Sequence, residues 1–240
     1  VVNQEGTFGA LLDAHTGAQI DSFRGRFVAP RGLVGHSAET RGILHHVDGV
    51  SVFSAQTRTI ANHAPCGGSG THLVSSFSEQ SERIATFCTD GSLIVFGVDG
   101  KVQYLFPNVF GSDRKGASAV AVSPDGNRVV VAGLDSDLVV LELPSQNKRI
   151  YRHPQVGVIG NLSFSPDGRF LLMLGDRGGV SIWNPDRGVT IRRLPVYGDK
   201  AARWSIDGKM LFALGQQLRR WQLLFVLNPM HLSASSQPGI

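Results

Sequence analysis

The stretch FSPDGRFLLMLGDRGGVSIWNPDRG, residues 164–188, reads as three short strands separated by two turns. Its apolar runs alternate with Pro, Asp and Gly, which favour tight turns. The motif SPDG at Ser165–Gly168 occurs also at Ser123–Gly126, returns as SIDG at Ser205–Gly208, and has a degenerate form, SEQS, at Ser78–Ser81. The copies are 40 to 45 residues apart. Self-similarity at such a period indicates a fold built from repeated units.

A second marker follows the same period. A large residue near the end of a later strand occurs in each unit, at Leu12, Phe53, Phe96, Leu141, Trp183 and Trp221. A period of 40–45 residues with three or four short strands predicts an all-β fold, the β-propeller, in which each unit is one blade. We therefore expect a propeller over residues 1–225, with six recognisable blades in a ring of six or seven. Residues 226–240 are small, polar and Pro-bearing, which predicts a frayed C-terminal tail.

The repeats resemble those of WD-repeat β-propellers, over roughly residues 1–225. In that family a Trp-Asp pair closes the third strand, and the nearest matches here are Leu12-Asp13 and Trp183-Asn184. The family's structural Asp, six residues before the Trp position, matches at Asp90 and Asp135. Because the family's hydrogen-bonding residues are incompletely present, the resemblance implies blades that depend more on apolar packing. Trp183 is expected to fill the space between its own sheet and the next blade.

The last three repeats more weakly resemble the propeller of spliceosomal pre-mRNA-processing U-box ubiquitin ligases. That resemblance implies a partner-binding domain of a nuclear RNA-processing complex, with any catalytic U-box outside residues 1–240. Propellers of rRNA-processing complexes fit nearly as well. Both resemblances imply a non-catalytic WD-repeat scaffold for protein–protein interactions, in splicing or in rRNA processing.

Composition narrows the setting of the protein. Of its 240 residues 42% are hydrophobic and 18% charged, which is typical of a soluble globular chain, and no apolar run is long enough to predict a membrane span. Its two cysteines, Cys66 and Cys88, do not make a disulfide framework. They favour a reducing, intracellular compartment, nuclear or cytoplasmic.

No motif of a known catalytic or cofactor site is present. The gap between His63 and Cys66 suits zinc, but the second pair of ligands would have to come from Cys88 or His72, which are not arranged as a compact pair. We therefore predict no metal, no cofactor and no catalytic residue. The alternative is a propeller enzyme, or a ligand-binding domain, with a metal in the central channel. That alternative needs acidic, Asn or His side chains pointing inward, whereas the innermost strands (SAVAV, GNLSF, AARWS) offer chiefly small and apolar ones.

The charge of the chain is unevenly distributed. Residues 1–113 carry seven Lys and Arg against ten Asp and Glu, whereas residues 114–240 carry sixteen against nine. Eighteen of the 23 basic residues are Arg, which favours bidentate contacts with carboxylates or phosphates.

Loops on one face of a propeller should bring part of this charge together. The loops between blades (107–118, 152–158 and 194–201) and those between second and third strands are expected to share that face. We name its predicted partner-binding residues the basic arc: Arg114, Lys115, Arg152, His153, Arg177 and Lys200. Such an arc suits acidic segments of proteins, and the RNA backbone is a second candidate partner. Lys148 and Arg149 are placed on the opposite face or the outer rim.

Overall fold

A computed structural model describes the greater part of the chain. The described residues are 8–12, 16–24, 41–45, 49–54, 59–66, 74–78, 80–111, 116–152, 157–176, 179–194, 201–214 and 218–222. Every regular element among them is a β-strand. Within these ranges nothing helical has the length and apolar character that crossing a membrane would require. The predicted tail, residues 226–240, lies outside the described residues.

The described strands form six antiparallel sheets, numbered here in chain order. Sheet 1 contains β1 (Phe8–Leu12) and β2 (Gln19–Arg24). Sheet 2 contains β3 (Arg41–His45), β4 (Gly49–Ser54) and β5 (Thr59–Pro65). Sheet 3 contains β6 (Val74–Ser78), β7 (Arg83–Phe87), β8 (Leu93–Gly97) and β9 (Val102–Phe106).

Sheet 4 contains β10 (Ala117–Val122), β11 (Arg128–Gly133), β12 (Asp137–Glu142) and β13 (Asn147–Arg152). Sheet 5 contains β14 (Ile159–Phe164), β15 (Leu171–Gly175), β16 (Val180–Asn184) and β17 (Val189–Leu194). Sheet 6 contains β18 (Ala201–Trp204), β19 (Met210–Leu214) and β20 (Leu218–Gln222).

Consecutive strands pair within each sheet, and the first strands of neighbouring sheets lie together. β10 contacts both β6 and β14, and β14 also contacts β18. The first strand of each of these sheets is therefore the innermost, and the sheets succeed one another around a common axis. This arrangement is that of a β-propeller, and it confirms the fold class predicted from the repeat.

Burial explains why the middle strands are almost continuously apolar. The side chains of β8, β11 and β12 are buried on both faces of their sheets, except at the strand ends, because each sheet is covered on both sides by a neighbour. The outermost strands β9 and β13 are largely exposed and carry more polar residues. The middle strands are thus the most buried, and the outermost strands are the most exposed.

The described hydrophobic core is divided among four clusters, each between two consecutive sheets. They join sheets 2 and 3, sheets 3 and 4, sheets 4 and 5, and sheets 5 and 6. Alternate residues of one strand enter different clusters: Val129 and Val131 face sheet 3, whereas Val130 and Ala132 face sheet 5. Because side chains alternate between the two faces of a strand, each of these sheets contributes to two core clusters.

Trp183 is fully buried, but its direction differs from the expectation. Its ring packs edge-on against Tyr151, with 5.1 Å between centroids and an interplanar angle of 76°. Tyr151 belongs to the preceding sheet, as do Leu138 and Val140 of the same core cluster, so the prediction that Trp183 faces the next blade was wrong. Alternation along a strand defines two faces, but the direction in which the chain circles the axis decides which neighbour each face meets.

Candidate partner-binding face

Described parts of two of the loops that were expected to share one face contact loops between second and third strands. Val109, in the loop after β9, donates a 3.0 Å backbone hydrogen bond to Gly91, which lies between β7 and β8. Asp176, between β15 and β16, donates a 2.9 Å backbone hydrogen bond to Val158, in the loop before β14. We call this end of the sheets the loop face. Its loops hold one another through backbone contacts, so they are parts of the scaffold.

The carboxylates of the loop face accept hydrogen bonds from the backbone of its loops. Asp90 accepts hydrogen bonds from the backbone nitrogen and the hydroxyl of Ser92, at 2.9 and 2.6 Å. Asp135 accepts from the backbone nitrogen of Asp137 at 3.3 Å, and Asp176 accepts from that of Val158 at 2.9 Å. Asp90 and Asp135 thus stabilise turns, and Asp176 joins two loops.

The structure describes one residue of the basic arc. Arg152 is exposed at the end of β13, beside the loop face, and pairs in register with Asp137 of β12. The other members lie outside the described residues: Arg114, Lys115, His153, Arg177 and Lys200. Gly157 and Asp176, which are close in sequence to His153 and Arg177, are part of the loop face. The basic arc as a whole stays a prediction.

The opposite end of the sheets is built from one repeated turn, and we call it the turn face. The hydroxyls of Ser123, Ser165 and Ser205 donate to the aspartate two residues later, at 2.5 to 2.6 Å. The same hydroxyls accept from the backbone nitrogen five residues later, at 2.8 to 3.0 Å. The glycine that ends each turn has φ between +70° and +72°, which only glycine adopts readily.

Each turn aspartate is held in its ionised form. Burial opposes ionisation of Asp125 and Asp167, but hydrogen bonds from the turn serine and from the following residues outweigh it and lower the pKa of both carboxyls. For Asp207 the hydrogen bond from Ser205 is the largest cause of a lowered pKa. Each serine hydroxyl is bonded both to its aspartate and to the backbone, so the Ser–Asp pairs stabilise the turns.

Arginines link successive turns of the turn face. Arg83 Nη1 donates a 2.6 Å hydrogen bond to the carbonyl oxygen of Gly126, and Arg128 Nη2 donates a 3.0 Å one to that of Gly168. Each arginine lies five residues after the first serine of its own turn motif, Ser78 or Ser123. This shared spacing could have predicted the contact from the sequence, but our sequence analysis did not use it. These arginines stabilise the junctions between sheets.

Two positively charged residues predicted away from the loop face lie on the outer strand β13. Arg149 forms an ion pair with Glu142, at 2.7 Å, and reaches the carbonyl oxygen of Asp186 near the turn face. The amino group of Lys148 lies 3.3 Å from the carbonyl oxygen of Val109, in a loop of the loop face. Lys148 therefore lies on the outer strand of its sheet but reaches the loop face with its amino group.

Cys66 and Cys88 form a disulfide, which the count of cysteines did not lead us to expect. Cys66 follows β5 of sheet 2 and Cys88 follows β7 of sheet 3, with 5.4 Å between their Cα atoms. The pairing is between neighbouring sheets, so their sequence separation of 22 gives no sign of it. In this bonded form neither sulfur is a thiolate that could bind zinc. Among the described residues no group of three or more His, Cys, Asp and Glu is placed to hold a metal ion.

Comparisons with known proteins give a fold and no family. No protein-family model matches the chain, and neither does any curated protein. Among solved structures 1547 chains match, so the fold is widespread and does not by itself single out a function.

One solved structure shows the extent of the likeness. The crystal structure of the Cps50 (Swd1) β-propeller domain of Myceliophteria thermophila matches with a TM-score of 0.66 and 14% sequence identity. The match covers 87% of this chain and 68% of that chain. At such low identity the likeness extends to the fold alone. The chain has the β-propeller fold.

Proposed function

We propose that this propeller is a non-catalytic scaffold whose loop face binds acidic segments of partner proteins in a multi-protein complex. The observation that carries the proposal is the construction of the loop face. Backbone contacts between loops, such as that of Val109 with Gly91, fix a surface at the edge of which Arg152 is exposed. Loops held by a rigid scaffold are where binding functions concentrate.

The charge of the chain indicates the chemistry of the partner. Residues 114–240, which contain the whole basic arc, carry a net charge of +7, from sixteen basic and nine acidic residues. Arginine pairs with carboxylates through two parallel hydrogen bonds, which adds geometric specificity to attraction. An acidic protein segment is therefore the partner that we favour. RNA phosphates have the same charge, and RNA binding is an outcome that the experiment separates.

For the cellular setting we propose a nuclear complex. The resemblance of the last three repeats to propellers of RNA-processing complexes supports a nuclear splicing or rRNA-processing assembly. A cytoplasmic location is the other setting we consider. A reducing compartment would open the bond between Cys66 and Cys88, and the sheets that they join also share an apolar core.

The proposal is tested with two probes, a labelled poly-glutamate peptide and a labelled poly-uridine RNA, by fluorescence anisotropy at several salt concentrations. Reversing Arg152 and Arg177 to Glu should abolish peptide binding with little change in melting temperature, because exposed charges contribute little to folding. Binding by the unaltered protein should weaken steeply with salt, since the Debye length falls from about 30 Å at 0.01 M to about 8 Å at 0.15 M.

The matched control is Arg187→Glu with Lys209→Glu. Both residues are exposed near the turn face, and the pair makes the same change of net charge. If the control pair abolishes binding and the arc pair does not, the binding face has been assigned to the wrong end. If RNA binds and the peptide does not, the partner class is wrong.

A further inference from the structure

Two buried sulfur atoms have no part in the function proposed above. They belong to Cys66 and Cys88, the two cysteines of the chain, which are joined in the disulfide between sheets 2 and 3. Cys66 follows β5 and is 9% exposed, whereas Cys88 follows β7 and is fully buried. The position of this bond relative to the loop face indicates what it does.

Cys88 is the first residue of a turn of the loop face. Its backbone nitrogen donates a 2.8 Å hydrogen bond to the carbonyl oxygen of Ser92, and its carbonyl oxygen accepts a 3.0 Å one from the backbone nitrogen of Gly91. The carbonyl oxygen of Gly91 in turn accepts the 3.0 Å hydrogen bond from Val109. The disulfide therefore ties Cys66, after sheet 2, through one turn of sheet 3 to Val109, in the loop after sheet 3.

The loop that contains Val109 also carries part of the basic arc. Arg114 and Lys115 follow Val109 by five and six residues, before β10 begins at Ala117. Contiguous contacts therefore lead from the sulfur atoms to the loop on which two of the predicted binding residues lie. Coupling between separated groups is carried by contacts of this kind.

The next junction shows that the fold does not need a covalent link at this place. Cys66 and Val109 hold equivalent positions, 13 residues after the large residue that marks each repeat. Cys88 and Gly133 are equivalent as well, eight residues before that residue of their own repeats. Val109 is buried in the core between sheets 3 and 4, and the ring of Phe110 covers Gly133, where a Cβ atom would lie 3.1 Å from Cε1. Since neither valine nor glycine can form a disulfide, that junction is held without one.

The surroundings of the two sulfur atoms suit both oxidation states. Both cysteines belong to the apolar cluster that also contains Ile43, Ile84 and Phe96. A thiol behaves as a small apolar group, so such a cluster holds two thiols as well as it holds a disulfide. Opening the bond removes a constraint from the loop face and leaves the core between sheets 2 and 3 in place.

We propose that Cys66 and Cys88 form a reversible thiol–disulfide switch that controls how firmly the loop face is held. In the oxidised form the disulfide fixes the turn Cys88–Ser92 and, through Gly91, the loop that contains Val109. In the reduced form this turn opens more often, and the loop face is less preorganised. Because ordering a surface on binding costs free energy, the reduced form binds the acidic partner more weakly, a consequence that rests on the function proposed above.

Reduction proceeds by two exchanges with a small thiol such as glutathione. The first thiolate attacks Sγ of Cys66, the less buried sulfur, and the electron pair of the broken bond passes to Sγ of Cys88, which takes up a proton. A second thiolate attacks the glutathione sulfur of the mixed disulfide and releases Cys66, which is protonated in turn. The protein thus gains two electrons and two protons, while two glutathione molecules become one glutathione disulfide. Oxidation is the reverse of these steps.

The first test is hydrogen exchange of the whole chain, followed by mass spectrometry, in the oxidised form and after reduction with glutathione. Segments 88–92 and 107–111 should exchange at least tenfold faster in the reduced form, because they contain the linked turn and Val109. The matched control is the contact of Asp176 with Val158, at another junction of the loop face, where exchange should change less than twofold. Glutathione disulfide should restore slow exchange, with intact mass after alkylation reporting the state of the sulfur atoms.

The second test uses the variant Cys66→Val with Cys88→Ala. This variant removes the bond and places at position 66 the residue that the next junction has there. In both buffers it should exchange at the rates of the reduced protein, and it should bind the poly-glutamate peptide at least threefold more weakly than the oxidised, unaltered protein. Exchange at the oxidised rates would overturn the proposal, as would a disulfide that no glutathione buffer opens without unfolding the protein.

Failure of the switch and failure of the proposed function give different results. Faster exchange in the reduced form, with no peptide bound by either form, supports the switch and refutes the loop face as a site for acidic segments. Equal exchange, with the peptide bound equally by both forms, refutes the switch and leaves the proposed function in place. Faster exchange with equal binding refutes the control of binding by the disulfide.

Discussion

Arg128 in sheet 4 reaches the carbonyl oxygen of Gly168 in the turn of sheet 5, with 3.0 Å between Nη2 and the oxygen. Its other terminal nitrogen pairs with Asp186 of sheet 5 at 2.6 Å, and the arginine side chain is only 15% exposed. Arg83 repeats the first contact one sheet earlier, to Gly126. In sheet 5 the equivalent position holds Phe170, and the neighbouring Arg169 bonds its own Asp167 instead. The arginine contact thus joins sheets 3 to 5.

The first prediction tests this contact. Arg128→Ala should lower the free energy of unfolding by about 1.5–3 kcal/mol, the range for a hydrogen bond that involves a charged group. Urea denaturation followed by fluorescence is the measurement. Arg169→Ala is the control and should change stability by less than about 1 kcal/mol, since its ion pair with Asp167 is exposed. An equal effect of the two substitutions would contradict the role given to Arg128.

The second prediction concerns the core between sheets 4 and 5. Trp183→Ala should destabilise the fold by about 3–5 kcal/mol, the range for truncating an aromatic side chain in a packed interior. Denaturant unfolding measures the effect, and Trp183→Phe should cost clearly less. A loss below about 1 kcal/mol would mean that Trp183 is not in a packed core.

The third prediction is a loss of stability in acid. The folded-state pKa of Asp125, Asp167 and Asp207 lies below the ordinary value of 3.8. Their contribution is therefore complete above that value and is lost as the pH falls through the lower, folded-state pKa. The melting temperature should fall steeply below about pH 4. The variant Asp125→Asn with Asp167→Asn should have a lower melting temperature at pH 6, but its melting temperature should fall less between pH 6 and pH 3. Parallel curves of melting temperature against pH for the variant and the unaltered protein would contradict this assignment.

The fourth prediction concerns the link between Cys66 and Cys88. Alkylation without reductant should leave the protein unlabelled, whereas reduction and unfolding should allow two labels, as seen by intact mass. For a loop of this length the chain-entropy model gives a stabilisation of about 3 kcal/mol. The reduced protein should stay folded, because the two residues also belong to an apolar core between sheets 2 and 3. Rapid labelling of both thiols in the native, unreduced protein would show that the bond is absent.

Local patterns were sufficient to predict the repeated unit. The serine and aspartate of the turn at Ser165–Gly168 form a hydrogen bond between residues two positions apart. The structure shows the same hydrogen bond in the turns that begin at Ser123 and Ser205. The burial of Trp183 followed from its position at the end of a strand. These features are local, so they appear wherever the sequence pattern appears.

Contacts between sheets were not predicted from the sequence. They join residues of different repeats, which come together only when the sheets pack around the axis. The bond between Cys66 and Cys88, the contact of Arg128 with Gly168 and the packing of Trp183 on Tyr151 are all of this kind. The basic arc depended on such relations as well. Of its members the structure describes Arg152, at the edge of the loop face.

The division of the core between pairs of sheets limits how far the effect of a substitution travels. Each of the four described clusters ends at the sheets that form it, so the energetics are those of a chain of nearest neighbours and not of one shared interior. Losses from Trp183→Ala and from a truncation between sheets 2 and 3, such as Phe96→Ala, should add, because the two described clusters that hold these residues share no side chain. Hydrogen exchange should likewise proceed in steps, as single junctions open while the more distant sheets keep their protection.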